Sequence, residues 1–195
     1  MKKRILCFGD SNTWGYVPVT KERYEEHERW PGILAEKLGN TYAVIEEGMN
    51  GRTTAFTDRI KPDVCALDYV YPCLLSQFPL DYIIVMLGTN DTKDRYQVRA
   101  EEIALGMTEV ILKIKDSCKR KAQNPQIFLI SPPPMCFKED WIEFSEASVK
   151  KMERLHQEYE QIAKTQGCAY LNGAAIVGND GLGRDGVHLL PVGHE

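Results

Sequence analysis

Residues 81–91 have the sequence DYIIVMLGTND, in which an apolar run ends abruptly in a glycine and three polar residues. A continuously apolar run of this length is typical of a strand that is covered on both faces, as in a parallel sheet. The stretch RILCFGDSN at 4–12 repeats the arrangement, and three further short apolar runs follow it. The predicted strands are 4–8, 42–46, 82–87, 127–130 and 169–171.

Helical patterns lie between these strands. Apolar residues recur at helical spacing over 30–38, after Asp63, over about 98–121, and from a capping Ser145 to a terminating Gly167. Strands that alternate with helices predict a parallel sheet with right-handed crossovers, and therefore a three-layer α/β/α sandwich with a five-stranded sheet. The run Pro132-Pro133-Pro134 should end the fourth strand, because proline cannot extend it.

The size and composition are those of one ordinary globular domain, residues 1–195. Apolar residues make up 43% and charged residues 27%, with a net charge of −4. This balance gives no electrostatic case for binding nucleic acid or an anionic membrane. No run approaches the ~20 apolar residues of a membrane helix, and no signal peptide follows Met1, so a cytoplasmic protein is predicted. The six cysteines show no Cys-x-x-Cys spacing and predict free thiols.

Polar residues follow the predicted strands at several places along the chain. Ser11, the 48–52 loop, Asn90 and the segment from Ser131 each come just past a strand end. Ligands of open parallel sheets bind beyond the carboxyl ends of the strands. We therefore expect these distant segments to form one site.

Ser11 is the candidate nucleophile. A serine at a strand-to-helix turn can present its hydroxyl to a substrate while its N–H points at a developing oxyanion. Position 13 is Thr, so the Gly-x-Ser-x-Gly elbow of the usual α/β-hydrolase fold is absent. Taken alone, the GDSN stretch is also typical of an ordinary turn.

Asp185 and His188 are the candidate partners of that serine. A spacing of three residues lets the aspartate reach imidazole Nδ1 within one turn, which leaves Nε2 to face the serine. His27 and His156 lie among charged residues and are expected to be solvated. His194 remains the rival base.

Asn90 and the loop Gly48–Arg52 are candidate donors to an oxyanion. A side-chain amide after a strand can donate into a pocket, and glycines let backbone amides approach a substrate closely. Both features also have a structural interpretation, because asparagine often caps a helix and glycine often marks a loop.

Together, four sequence blocks resemble the SGNH (GDSL-type) hydrolases. They are GDSN followed by TWG at 9–15, EEGMNGRTT at 46–54, MLGTND at 86–91 and DGVH at 185–188, and they occur in family order over almost the whole chain. Within that superfamily the chain is most similar to the bacterial arylesterase/acyltransferase branch, to which FGDSNTWGYVPV, VIEEGMNGRTT and SPPP also correspond.

The resemblance implies a flavodoxin-like fold and a Ser-His-Asp esterase that acts on small esters through an acyl-enzyme. It assigns Ser11 as nucleophile, His188 as base and Asp185 as the third triad member. It implies no cofactor and no metal. The oligomeric state stays open, a homo-oligomer included.

The resemblance also assigns the oxyanion hole. Its donors are the N–H of Ser11, the N–H of Gly51 and the Asn90 side chain, with Gly48 as the alternative to Gly51 if the loop register differs. The implied pocket is expected to include seven further residues: Asn12, Trp14, Thr92, Lys93, Trp141, Phe144 and Val187.

The chain departs from the family pattern at two places. Position 12 is Asn where the GDSL name has Leu, and this predicts a more polar wall beside the nucleophile. Family members usually continue into a helix of a dozen or more residues after the histidine, whereas this sequence stops at Glu195. Either the sequence is cut short or another element covers that face.

Three other functions compete with a small-acyl esterase. A carbohydrate O-acetylesterase would use the same machinery. A metal-dependent phosphoesterase would also suit Gly-Asp and Asp-x-x-His pieces, although the chain is poor in histidine. A non-catalytic flavodoxin-like binding module is the third, but the first strand has no phosphate-binding glycine motif.

Overall fold

A parallel sheet of five strands organises the protein, whose computed structural model describes residues 2–195. The strands are β1 (Lys3–Gly9), β2 (Tyr42–Gly48), β3 (Tyr82–Met86), β4 (Gln126–Ser131) and β5 (Ala169–Asn172). All five predicted strands are confirmed, with ends that differ by one or two residues. Their order across the sheet is β2-β1-β3-β4-β5, the flavodoxin-like order of doubly wound folds.

The register of the sheet aligns the strand ends. Gly9, at the end of β1, lies opposite both Gly48 of β2 and Met86 of β3. Ser131 of β4 lies opposite Asn172 of β5. Because the strands are parallel, the segments that leave them all emerge at the same edge of the sheet.

Seven α-helices accompany the strands in the described residues. They are α1 (Ser11–Trp14), α2 (Trp30–Leu38), α3 (Ala66–Gln77), α4 (Ala100–Arg120), α5 (Glu146–Gln166), α6 (Gly173–Val177) and α7 (Pro191–His194). Helices α3, α4 and α5 pack side by side, and α2 packs on β2, so helices flank the sheet in the predicted α/β/α arrangement.

The core forms where the two central strands meet the three long helices. Leu6 and Phe8 of β1 and Ile83 and Val85 of β3 are fully buried. Their continuous apolar sequences follow from this double coverage. Strand β2, at the edge of the sheet, is only half-buried along its length.

The longest helices have the boundaries that their sequences indicate. The Ser145 side chain caps α5 by accepting from the Ala147 N–H, and the helix ends at Gly167. Periodicity did not predict α1, α6 and α7, because helices of four or five residues contain too few turns to show a 3.6-residue repeat. Over residues 2–195, every helix is too short or too polar to cross a bilayer.

Candidate active site

Ser11 is placed by the turn that leaves the central strand β1. Asp10 caps α1 by accepting from the Asn12 N–H at 3.0 Å, which makes Ser11 the first helical residue. At a helix start the N–H has no partner within the helix, so the Ser11 N–H is available to a ligand. The Ser11 side chain lines a small cleft at the carboxyl edge of the sheet.

His188 brings its ring to Ser11 from a loop 177 residues further along the chain. Nε2 of His188 lies 2.9 Å from Oγ of Ser11, and Nδ1 lies 2.6 Å from Oδ2 of Asp185. A carboxylate partner makes Nδ1 the protonated nitrogen and leaves Nε2 as the acceptor for the serine proton. The three side chains are therefore joined in a continuous chain of hydrogen bonds.

Asp185 is held in its ionised form. Its Oδ1 accepts the backbone N–H groups of Val187 and His188, each at 3.0 Å. Burial alone would raise the pKa of Asp185, but the hydrogen bonds from His188 and Val187 and the charge of the His188 ring together outweigh it and hold that pKa below its ordinary value. The carboxylate can therefore orient the imidazole and stabilise its positive charge.

Asn90 lies four residues past the end of β3 and borders the site. Its Nδ2 donates one hydrogen to the carbonyl oxygen of Arg52 at 3.1 Å, and the amide also lines the cleft. The bond to Arg52 orients the amide and leaves its second N–H for a ligand.

Gly51, and not Gly48, reaches the cleft. Gly51 has a φ of 85°, a left-handed conformation that favours glycine, and it lies among the lining residues. Gly48 serves packing instead, since a Cβ on it would lie 2.2 Å from the backbone nitrogen of Trp14. The position of Gly48 therefore disfavours the alternative register, in which Gly48 and not Gly51 would supply the backbone donor.

Arg52 ties the segments of the site together, and the sequence patterns did not single it out. Its side chain is 2% exposed, and Nη1 donates to the carbonyl oxygens of Gly9, at 2.8 Å, and Glu47. Its guanidinium carbon lies 4.2 Å from the centre of the Phe8 ring. Burial lowers the pKa of Arg52 from its ordinary value. Arg52 thus joins the ends of β1 and β2 to the carbonyl that orients Asn90.

The cleft has a volume of about 150 Å³, and its lining includes three of the seven expected pocket residues: Lys93, Phe144 and Val187. Four lining residues were not anticipated: Tyr16, Asn50, Lys61 and Glu143. Of these, Tyr16 could have been suspected from its position in the first block.

The other four expected pocket residues lie outside the cleft lining. The Asn12 amide faces the histidine loop (residues 182–190, which include His188) and not the cleft, so the predicted polar wall at this position is wrong. Trp14 packs under Arg23, and Thr92 is fully buried with its hydroxyl on the Thr89 carbonyl. Trp141 is outside the lining, and its Nε1–H donates to the Asp185 carbonyl oxygen at 2.6 Å.

Three ionic contacts lie at and behind one wall of the cleft, which Lys93 and Glu143 line. Glu143 pairs with Lys93, whose Nζ lies 3.1 Å from its carboxylate, and with Arg95 at 2.5 Å. Arg95 also pairs with the buried Asp58 at 2.5 Å. Burial lowers the pKa of Lys93, although Glu143 opposes that shift. The two contacts of Glu143 hold the chain directly before Phe144.

Two buried carboxyl groups lie beneath the site. Burial raises the pKa of Asp10 to about 6 and that of Asp91 to about 6. The Asp91 Oδ1 accepts from the N–H and the hydroxyl of Thr54, at 2.8 and 2.6 Å, which anchors the loop that carries Gly51.

His194, the rival base, lies away from Ser11. Its ring is 4% exposed, its Nδ1 accepts the Trp30 N–H at 3.3 Å, and it packs edge-on against Tyr24. Burial lowers the pKa of His194 to about 4. The structure therefore contradicts a role for His194 as the base that serves Ser11.

Metal-ligating residues do not cluster in the described part of the chain. Among residues 2–195 there is no group of three or more His, Cys, Asp or Glu side chains that could hold an ion. The six cysteines are free.

The fold and the site have the arrangement of a serine hydrolase: a parallel α/β/α sandwich with a hydrogen-bonded serine, histidine and aspartate at the edge of its sheet. The chain belongs to the GDSL-like Lipase/Acylhydrolase family, whose sequence pattern matches residues 7–195. The resemblance seen in the four sequence blocks is thereby confirmed.

Known structures of the same kind superpose on nearly the whole chain. An aryl esterase from M. smegmatis is 35% identical with a TM-score of 0.92, covering 98% of this chain and 93% of that one. A carbohydrate acetylesterase from Sinorhizobium meliloti is 33% identical with a TM-score of 0.91, covering 99% and 95%.

A curated relative is more distant in sequence and much longer. An acetylxylan esterase from Xylanibacter ruminicola is 26% identical over 200 residues, which cover 95% of this chain. The chain spans only 39% of that protein's length.

Proposed function

We propose that the protein is a serine esterase that removes small acyl groups from carboxylic esters through an acyl-enzyme. The observation that carries this proposal is the hydrogen-bonded chain of three side chains. Ser11 Oγ lies 2.9 Å from His188 Nε2, and His188 Nδ1 lies 2.6 Å from Asp185 Oδ2. The 2.9 Å contact lies in the range that proton transfer requires, and the 2.6 Å contact orients the His188 ring for that transfer.

In acylation, Ser11 Oγ forms a bond to the ester carbonyl carbon while its proton passes to Nε2 of His188. The carbonyl π electrons move onto oxygen, which becomes the oxyanion. When the tetrahedral intermediate collapses, the bond to the alcohol oxygen breaks, and His188 gives its proton to that oxygen. The ionised Asp185 stabilises the imidazolium between these two transfers.

Deacylation repeats the sequence with water. Water attacks the acyl carbon and gives one proton to His188, and collapse releases the carboxylic acid and returns the proton to Ser11. A second alcohol in place of water would yield a new ester, so acyl transfer needs no further group.

Three donors would hold the oxyanion. The N–H groups of Ser11 and Gly51 and the free N–H of the Asn90 amide all border the cleft. Donors that are fixed before the reaction stabilise the transition state without reorganising, which makes this the largest single contribution in many esterases.

The cleft favours short acyl groups. Its volume is about 150 Å³, comparable to that of a protein cavity that accommodates benzene. Tyr16, Phe144 and Val187 supply apolar surface for a methyl or ethyl group. Long acyl chains would require a larger pocket than these walls enclose.

A carbohydrate O-acetylesterase is the second candidate function. Asn50, Lys61, Lys93 and Glu143 give the cleft polar groups that can bond to sugar hydroxyls. A structural relative at 33% identity is a carbohydrate acetylesterase, which supports this alternative.

A substrate panel separates the two candidates. We expect p-nitrophenyl acetate to be hydrolysed faster than the butyrate and much faster than the octanoate. Comparison of aryl acetates with acetylated xylose and glucose then identifies the alcohol class by the larger kcat/KM. A preference for octanoate would contradict the short-acyl proposal.

Labelling tests the nucleophile and the class of chemistry. A fluorophosphonate should abolish activity and add its mass to the peptide that contains Ser11, while a chelator should leave activity unchanged. Activity that is lost to the chelator and kept after the fluorophosphonate would support a metal-dependent phosphoesterase instead.

A further inference from the structure

Asn12 is bonded to the chain on both sides of His188. Its Nδ2 donates to the carbonyl oxygen of Val187 at 3.3 Å, and its Oδ1 accepts the N–H of Leu189 at 3.0 Å. Asn12 is 1% exposed and directly follows Ser11 in α1. One side chain thus links the residue next to the candidate nucleophile with both neighbours of the candidate base.

The remaining bonds of the histidine loop do not determine its distance from Ser11 in this way. Asp185 bonds to Val187 and His188 within the loop itself. The Trp141 bond and the bond from the Cys136 N–H to the Gly186 carbonyl connect the loop to the segment that follows β4. The two Asn12 bonds connect it to the turn that carries the serine.

We propose that Asn12 is a positioning residue that sets the spacing between Ser11 Oγ and His188 Nε2. This rests on the proposed function, because the spacing matters only if the two groups exchange a proton. Proton transfer requires heavy atoms about 2.6–3.2 Å apart, so a shift of the loop by even about 1 Å would slow it strongly.

The role needs an amide of this length. A carboxylate can accept from the Leu189 N–H but cannot donate to the Val187 carbonyl, and leucine can do neither. The position where the GDSL name has an apolar residue is therefore, in this chain, a polar link to the base.

The experiment compares Asn12→Leu and Asn12→Asp with a matched control, Thr13→Val. Thr13 is the next residue of α1, it is fully buried, and its hydroxyl has no hydrogen-bond partner within the described residues. The control therefore changes a buried polar side chain in the same turn, with little change of shape, and breaks no bond to the loop.

We expect Asn12→Leu to lower kcat for p-nitrophenyl acetate about 10- to 100-fold, with KM changed less than about twofold. Thr13→Val should keep kcat within about twofold. Asn12→Asp should retain slow amide exchange at Leu189 and still lose activity, because the donor to Val187 is missing. Amide exchange at Leu189 should be faster in Asn12→Leu.

A purely structural role would lower the melting temperature of Asn12→Leu while leaving the kcat of the folded enzyme near that of the parent. That result would overturn the proposal, as would equal losses of kcat in Asn12→Leu and Thr13→Val. If Asn12→Leu does not fold, the proposal stands or falls on the kcat of Asn12→Asp in the same assay.

A failure of the proposed function would give a different result from a failure of the positioning role of Asn12. If Ser11→Ala keeps esterase activity, the nucleophile is wrongly assigned, whatever the Asn12 variants do. If Ser11→Ala is inactive and Asn12→Leu is fully active, only the positioning role is wrong.

Discussion

The two sides of the site are held in place in different ways. Ser11 and Asn90 follow β1 and β3, which are central strands with backbone hydrogen bonds to neighbours on both sides. Asp185 and His188 belong to the C-terminal segment, residues 182–195, which contributes no strand to the sheet. Side-chain bonds from Asn12 and Trp141 and a few backbone bonds attach the histidine loop.

Because of this difference, substitutions on the two sides should lower activity in two different ways. At the sheet edge, the hydrophobic core sets the backbone, so a substitution removes a chemical group without moving the others. In the C-terminal segment, a substitution can leave the chemical groups intact and move them apart. Losses of chemistry should therefore be large, and losses of position should be smaller and graded.

The largest effect is expected from Ser11→Ala. Removal of the nucleophile should lower kcat on the order of 10⁶-fold, because no acyl-enzyme can form. The melting temperature should barely change, since the hydroxyl bonds to His188 at the surface of a cleft. Steady-state kinetics with p-nitrophenyl acetate measure the loss, and near-normal turnover would refute the assignment.

Asn90→Ala should have the next largest effect. Loss of one oxyanion donor should lower kcat by about 10²–10³-fold. Asn90→Asp is the matched control, since it keeps the shape but places an acceptor toward the oxyanion, and it should be at least as slow. Circular dichroism should show both variants folded. A kcat within a few-fold of the parent in the alanine variant would exclude Asn90 from the hole.

His194→Asn tests how the C-terminal segment responds to pH. Burial lowers the pKa of His194 from 6.5 to about 4, so the folded protein holds the neutral ring. Only the unfolded chain takes up the proton between those values, and stability falls as the pH drops. Between about pH 7 and pH 5 this group should cost about 2 kcal/mol of unfolding free energy.

The asparagine variant should lack that loss, because its side-chain oxygen can still accept the Trp30 N–H without titrating. Urea unfolding of both proteins at the two pH values measures the difference. The raised pKa values of Asp10 and Asp91 have the opposite effect, because they make the protein more stable as the pH drops. Both groups are present in both proteins, so their contributions cancel in the comparison. Identical pH dependence in the two proteins would contradict the prediction.

Trp141→Phe should have the smallest effect. It removes the donor to the Asp185 carbonyl but keeps an aromatic ring between Phe137 and Phe144. A lost hydrogen bond of about 1 kcal/mol corresponds to about a fivefold fall in kcat. Phe137→Leu, a change in the same aromatic cluster that breaks no bond to the loop, should leave kcat unchanged. Equal losses of kcat in the two variants would show that the effect comes from packing and not from the hydrogen bond.

The sequence predicted the fold well because its strands and long helices are strongly patterned. The runs at 82–87 and 5–8 are continuously apolar because both faces of β1 and β3 are covered there. Helices α4 and α5 span about six turns each, so their apolar stripes are unmistakable. The short helices carried no such signal.

Which site residues the sequence could place depended on the kind of signal each one carries. Ser11, Asn90 and Gly51 follow strands, and the direction of a parallel strand already assigns them to one edge. The four expected pocket residues outside the cleft lining depended on the direction of a side chain, which a linear pattern does not contain: Asn12, Trp14, Thr92 and Trp141. Arg52 was overlooked because a buried arginine looks, in a sequence, like any charged loop residue.

The amino-acid sequence by itself determined the layered architecture, the family, and the short list of groups able to perform ester chemistry, because periodicity and local motifs encode them directly. Only the tertiary structure decided that the His188 ring lies 2.9 Å from Ser11 Oγ while the His194 ring packs against Tyr24. It also decided that Asn12 bonds to the histidine loop. These choices depend on contacts between residues far apart in the chain, whose geometry exists only once the core has packed.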